Sequence, residues 1–209
     1  MPRPKRLPRA VREQQMLDAA ITEFSETGFS DTSMDAIAAR AAISKPMLYL
    51  YYGSKDELFT ACITRESGRF IEAMSTGFDP DMRQREQARV LVREFLRYVH
   101  EHAQSWRVLY RVASGTAGFA GAVTGARAQI TEMITDLIRR GTTVEGASDV
   151  DFELTAVALV GAAEAVADRV SEGDVSIDAA TDLLLGITWR GLKGVGTHVA
   201  DGVPAADGD

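Results

Sequence analysis

Apolar side chains recur at helical spacing along almost the whole of this 209-residue chain, and no segment alternates convincingly with a period of two. Leu17, Ala20, Ile21 and Phe24 fall at i, i+3, i+4 and i+7, one stripe of an amphipathic helix. Such periodicity admits an all-α fold and argues against sheet architectures. The spacing predicts a first helix over about 9–27, with Gly28 as its stop. A second begins near Thr32 or Ser33, where Thr32 and Asp35 resemble a capping box, and buries Met34, Ile37, Ala38 and Ala41. A third follows Ser44, with Pro46 in its first turn, where no hydrogen bond is lost. Gly53 and Ser54 end it, and a fourth runs over about 55–74. Turn-rich residues 77–84 mark a boundary, beyond which helices are expected at 84–103, 104–113, 119–141, 149–172 and 176–196.

Charge is unevenly spread. Residues 1–55 carry eight Lys or Arg against six Asp or Glu, a net of +2, which leaves 15 bases and 24 acids, a net of −9, for residues 56–209. The first 12 residues hold five bases and no acid. One end suited to a polyanion and an acidic body is the pattern expected of a protein that meets nucleic acid locally; a merely soluble basic arm is the alternative. Cys62 is the sole cysteine, so no intramolecular disulfide forms, which fits a reducing cytoplasm. No apolar run approaches the ~18 residues that would span a bilayer, and MPRPKRLPRAV has no secretory core, so no membrane partner is expected.

The stretch 32–59 gathers cationic and aromatic residues at the third helix. A helix-turn-helix needs a supporting helix, a short turn, here about 41–44, and a second helix that reaches base edges. Leu48 and Tyr52 can anchor the third helix on the first two, leaving Lys45, Met47, Tyr49 and Tyr51 for the outer surface. Lys45 can pair with a phosphate or donate to guanine O6 and N7. The tyrosine hydroxyls can donate to phosphates, which sets register without reading sequence. Thr32 can offer its hydroxyl and nearby N–H groups to another phosphate, and Lys55 flanks the opposite side. Core packing of the tyrosines is the alternative, but burying all three would require every side of one short helix to be covered.

The string GFSDTSMDAIAARAAISKPMLYLYYGSKDELF resembles the DNA-binding signature of the TetR family of bacterial transcriptional regulators. The resemblance covers about residues 10–60. It implies that Thr32 and Ser33 open the second helix, that Ser44, Lys45, Pro46 and Met47 face the bases, and that Tyr49, Tyr51 and Lys55 touch the DNA backbone. Tyr51 stands where histidine is common in the family, and Pro46 where glycine is common. The fold implied is all-α: a three-helix helix-turn-helix DNA-binding domain plus a larger C-terminal helical ligand-binding and dimerisation domain. The expected divisions are a basic flexible arm at 1–8, the helix-turn-helix domain at 9–55, a linking helix at about 55–74, the effector-binding and dimerisation domain at 56–200, and a disordered tail at 201–209.

In that larger domain, Leu154, Val157, Ala158, Gly161, Ala162 and Ala165 make a stripe of small and apolar residues, and Leu184, Ile187, Trp189 and their neighbours surround the last helix. A helix apolar on several sides is covered on several sides, by a monomer core, by a second copy, or both. The resemblance implies dimerisation through the last two helices, which makes Leu154, Val157, Ala158, Gly161, Leu184, Ile187 and Trp189 the expected homodimer contacts. Phe95, Tyr98, Trp106, Leu109, Tyr110, Ile130, Met133, Ile134 and Leu137 are the expected lining of an effector cavity suited to an apolar or aromatic small molecule. Ordinary core packing remains open for each. Glu164 and Asp168 would face a cationic ligand or pair with Arg169, Arg190 or solvent.

No catalytic motif is present. His100 and His102, two apart, point about 200° away from each other on a helix, which is poor geometry for one metal. No metal, cofactor or enzymatic activity is expected. The function expected is a cytoplasmic, one-component repressor that binds double-stranded, pseudo-palindromic operator DNA as a homodimer and is released by a small effector. The alternative is a helical ligand-binding protein or enzyme whose N-terminal corner is only structural.

Overall fold

The computed structural model describes residues 8–76, 79, 81–116, 118–141 and 148–192, without the side chains of residues 122, 141 and 189–192. Every regular element among these is helical: α1 (Arg9–Asp31), α2 (Met34–Arg40), α3 (Lys45–Tyr51), α4 (Lys55–Thr76), α5 (Gln84–Glu101), α6 (Ala103–Arg107), a π-helical segment (Val108–Ala113), α7 (Ala120–Gly141), α8 (Asp149–Ser171) and α9 (Ile177–Leu192). No helix among the described residues is long and apolar enough to cross a membrane. Residues 1–7 of the basic arm and the tail at 201–209 lie outside the described residues.

The element ends have local causes. Gly28 takes φ 79° and ψ 172°, breaking the helical path of α1 four residues after Phe24. Only a residue without Cβ adopts that backbone cheaply. The cap of α2 is Ser33, whose Oγ accepts from Ala36 N–H at 3.1 Å; the Thr32–Asp35 box expected from the spacing does not form. Ser44 precedes α3 in extended backbone but its side chain makes no cap hydrogen bond. In α8 the Ser148–Asp151 capping box is complete, and Ser148 N–H and hydroxyl hold the Asp151 carboxyl below its ordinary range.

Packing divides the chain into two units: the described residues within 1–73 and 101–127 form one, those within 74–100 and 128–209 the other. The first has a continuous core. Met16, Leu17, Ala20, Ile21 and Phe24 of α1 meet Ile37 and Ala38 of α2, Leu48 of α3, Leu58, Phe59 and Ile63 of α4, and Val108 and Leu109 of the π-helical segment. Phe24 meets Phe59 edge-on at 4.7 Å, and Phe59 meets Phe119 edge-on at 4.9 Å. Glu66 of α4, almost wholly buried, accepts from Arg65 Nε at 2.6 Å and Arg69 Nη1 at 3.3 Å, while Arg65 also bridges to Asp18 of α1 at 2.8 Å. Arg65 thus ties α4 to α1, and the buried Glu66 carboxylate is compensated by two guanidiniums, so that removing both would leave it unpaired.

In the second unit, α8 packs on α9. Ala156, Val160, Ala167 and Val170 of α8 and Ala180, Leu184 and Leu185 of α9 are buried. Ion pairs Arg89–Asp182 (2.8 Å) and Arg93–Asp178 (3.1 Å) link α5 to α9.

Candidate nucleic-acid interface

The geometry of α3 follows from one anchor. Leu48 is wholly buried, and Met47, Tyr51 and Tyr52 pack partly against the same core. At about 100° per residue, these four side chains occupy one arc of the helix, and Lys45, Pro46, Tyr49 and Leu50 occupy the other. All four of the latter are exposed, Tyr49 at 42% and Leu50 at 82%. Residues four apart stand one above another, so the outer surface is two rows: Lys45 with Tyr49, and Pro46 with Leu50. The turn ahead of α3 is tight because Ala42 takes φ 53°, left-handed for a residue with a Cβ.

The Lys45 ammonium donates to Asp35 Oδ2 of α2 at 2.8 Å, and that hydrogen bond, then the carboxylate's charge, raises its pKa above the ordinary value. Both side chains are exposed, so a DNA phosphate or a base edge can compete for the ammonium. Tyr51 departs from the expected outward position: its ring is half-buried against the core, with the Arg9 guanidinium 5.5 Å above it. Met47 is likewise drawn inward, its Sδ accepting from Arg12 Nη1 at 3.1 Å. Burial raises the Tyr52 phenol, which keeps it neutral and consistent with an anchoring role.

Two residues expected at the DNA backbone, Thr32 and Lys55, are engaged within the chain. Thr32 is 3% exposed, and its hydroxyl donates to Gly28 C=O at 2.6 Å beside Thr27 Oγ1, also at 2.6 Å. The side chain that was expected to meet a phosphate instead closes the carboxyl end of α1. Lys55 does the same from α4: its Nζ donates to the carbonyls of Phe29 (2.8 Å), Thr32 (3.1 Å) and Ser30 (3.2 Å), and lies 4.6 Å over the Phe29 ring. Helix carbonyls left without amide partners are strong acceptors at the negative end of the dipole, and an ammonium saturates three at once. Arg40 is similarly engaged, by Glu23 at 2.6 Å and Glu26 at 2.8 Å. Ser33 and Ser44 remain exposed at the starts of α2 and α3. Leu50 escaped the sequence reading, and Arg9 and Arg12, counted there only among the bases of the amino-terminal end, contact Tyr51 and Met47. The i+4 step from Pro46 was the signal available for Leu50.

The expected effector residues do not gather at one described cavity. Trp106, Leu109 and Tyr110 belong to the first unit. Leu109 is committed to the core beside α1, and Trp106 stacks on Tyr110 at 3.7 Å. In the second unit, Tyr98 is buried and Phe95, Ile130, Met133, Ile134, Leu137, Glu164 and Asp168 are half-buried. A groove of about 400 Å³ is lined by Ser75, Gln129, Glu132, Met133, Asp136, Leu137 and Arg140, so only Met133 and Leu137 of the expected set line it, among polar neighbours.

Of the expected dimer contacts, Leu184 faces the core at 5% exposure, because it lies on the side of α9 that is already covered by its own chain. Leu154 is 62% exposed and Ile187 52%; Val157 and Ala158 are also exposed, and Gly161 is half-buried. Val150 adds to the row on α8 and Leu183 to that on α9. The Trp189 side chain lies outside the described residues.

Comparison with known proteins agrees with this architecture. Residues 16–62 match the family model described as bacterial regulatory proteins, tetR family, and residues 84–191 match that of the tetracyclin repressor-like C-terminal domain. The HTH-type transcriptional activator FasR of Mycolicibacterium smegmatis is 30% identical over 92% of this chain and 88% of its own. A TetR-like transcriptional regulator from Rhodococcus sp. RHA1 is 57% identical, with a TM-score of 0.80 over 90% of this chain and 100% of its own. FadR of Bacillus subtilis in complex with stearoyl-CoA shares the fold at 16% identity, with a TM-score of 0.67 over 88% of this chain and 99% of its own. The helix-turn-helix of α2 and α3 and the family models covering both parts of the chain lead to one conclusion: the protein belongs to the TetR family of bacterial transcriptional regulators.

Proposed function

We propose that this protein is a ligand-responsive regulator that binds a pseudo-palindromic operator as a homodimer and, as a repressor, releases it when a small apolar effector binds. The observation that carries the reading is the outer face of α3, where Lys45 and Tyr49 stand exposed on a helix anchored from behind by Leu48. Ser44, Lys45, Pro46 and Tyr49 form the DNA-facing set, with Ser33 at the entry of α2. Tyr51, half-buried against the core, takes part through its hydroxyl. The exposed apolar rows of α8 (Leu154, Val157) and α9 (Ile187) support dimerisation, since a second copy would remove them from water. A dimer supplies two reading helices for two half-sites.

An effector weakens DNA binding only by as much as it prefers the conformer that fits DNA badly. FadR of Bacillus subtilis, which shares the fold, binds stearoyl-CoA, so acyl-CoA thioesters head the panel of effectors to be tried. A second reading, activation, is favoured by the whole-length similarity to the activator FasR. The two separate by in vitro transcription from a bound promoter with and without protein.

The operator-binding reading is tested by selecting duplexes from a random library, then titrating salt. Specific binding weakens with a log–log slope of about −0.9 per phosphate neutralised. Lys45→Ala with Tyr49→Phe lowers operator affinity while the circular dichroism spectrum stays helical; unchanged affinity in that double variant would overturn the assignment of α3.

A further inference from the structure

The outward face of α3 is half apolar, and that half has no partner within the described chain. Leu50 is the most exposed of its large hydrophobic residues, at 82%, and Pro46 stands exposed one turn before it. A lone exposed leucine on an arbitrary surface carries no message. This one shares the outer arc of the reading helix with Lys45 and Tyr49. We propose that the Pro46–Leu50 ridge recognises the 5-methyl group of a thymine in each operator half-site, and that Leu50 is a specificity-determining residue. The inference rests on the operator-binding reading above and deepens it.

The chemistry selects the base. In the major groove, guanine and adenine present N7 with O6 or N6, and cytosine presents N4–H; each needs a hydrogen-bonding partner. An isobutyl group set against any of them expels water and offers nothing in return, leaving a polar edge unsatisfied. Thymine alone presents a methyl group there, and apolar contact is what that group can gain from. The geometry fits one narrow stretch of DNA. Four residues of helix rise by about 6 Å, and successive bases on one strand lie about 3.4 Å apart. The ridge therefore spans about two base steps, while the parallel Lys45–Tyr49 row, turned by about 100° around the axis, meets the polar edges or phosphates beside them.

The test uses the full-length protein and the operator selected from a random duplex library. Each thymine in turn is replaced by deoxyuridine, which removes the methyl group and leaves every hydrogen bond of the base pair in place. For the unaltered protein, one thymine per half-site is expected to respond, with affinity falling about fourfold for each methyl removed. In Leu50→Ala the same replacement is expected to have no effect, and Leu50→Met, which keeps an apolar reach, to restore part of it. Leu50 lies outside the core, so both variants keep the helical spectrum and the melting temperature of the parent. If no thymine responds in the unaltered protein, or if Leu50→Ala keeps the full deoxyuridine penalty, Leu50 does not read a methyl group. If the protein selects no duplex at all, the operator-binding reading itself falls, and this one with it.

Discussion

Lys55→Met separates a structural lysine from a DNA-contacting one. In the structure the ammonium serves three carbonyls at the end of α1, at 2.8, 3.1 and 3.2 Å, and sits over the Phe29 ring. Methionine keeps most of the aliphatic stem and removes all four interactions. Hydrogen bonds to a charged donor contribute about 1.5–3 kcal/mol each when isolated from water, but this site is only half-buried, so water takes over part of the released acceptors. A cation–π contact at such a site adds about 0.5–1 kcal/mol. Taken together, and discounting for rehydration, the variant is expected to lose about 1–2 kcal/mol. Urea unfolding followed by circular dichroism reads that loss directly, as a lower midpoint at unchanged slope. The salt dependence of operator binding, measured where both proteins are folded, should not change. A phosphate-contacting lysine would do the reverse, leaving the midpoint alone and reducing the salt slope by about 1. That second pattern would refute the assignment of Lys55 as the cap of α1.

Three further outcomes are expected. Ala42→Gly relieves a left-handed backbone at φ 53°; against the entropy lost with glycine, a net gain of roughly 0.5 kcal/mol is expected in thermal unfolding, with operator affinity unchanged. Leu154→Asp places a carboxylate in the exposed apolar row of α8 and should shift sedimentation toward monomer; a dimer of unchanged strength would remove α8 from the interface. Burial raises the Cys62 thiol from 9.0 to about 12. The folded chain should therefore resist thiol reagents near pH 8 and react fully in urea. Because the folded value lies above the unfolded one, this thiol's contribution to stability is intact below pH 9 and is lost as pH rises toward 12.

Much of the candidate interface was legible from local chemistry. Gly28, Pro46 and Gly53 punctuate the first three helices because their effects act on the backbone within a few residues. Leu48 was identifiable as the anchor of α3 from spacing alone, and Lys45 and Tyr49 as outward residues opposite it. Thr32 and Lys55 make contacts within the chain that the sequence did not suggest, for a shared reason. A hydroxyl and an ammonium near a DNA-reading helix suit a phosphate, but they equally suit the bare carbonyls at the end of α1, and only the fold brings those carbonyls within 3.2 Å. The expected effector residues are divided between the two units: aromatic spacing marks burial without saying in which unit a side chain is buried, and Leu109 went to the core beside α1.

The succession of helices and the inward turn of Leu48 in α3 are properties of neighbouring residues, and the amino-acid order carried them. What α3 shows to the outside was decided in three dimensions. Leu50, which the sequence reading left unassigned, stays 82% exposed once the neighbouring helices are in place. Exposure is the result of what the rest of the chain leaves uncovered, so local spacing suggests a side and only packing decides it.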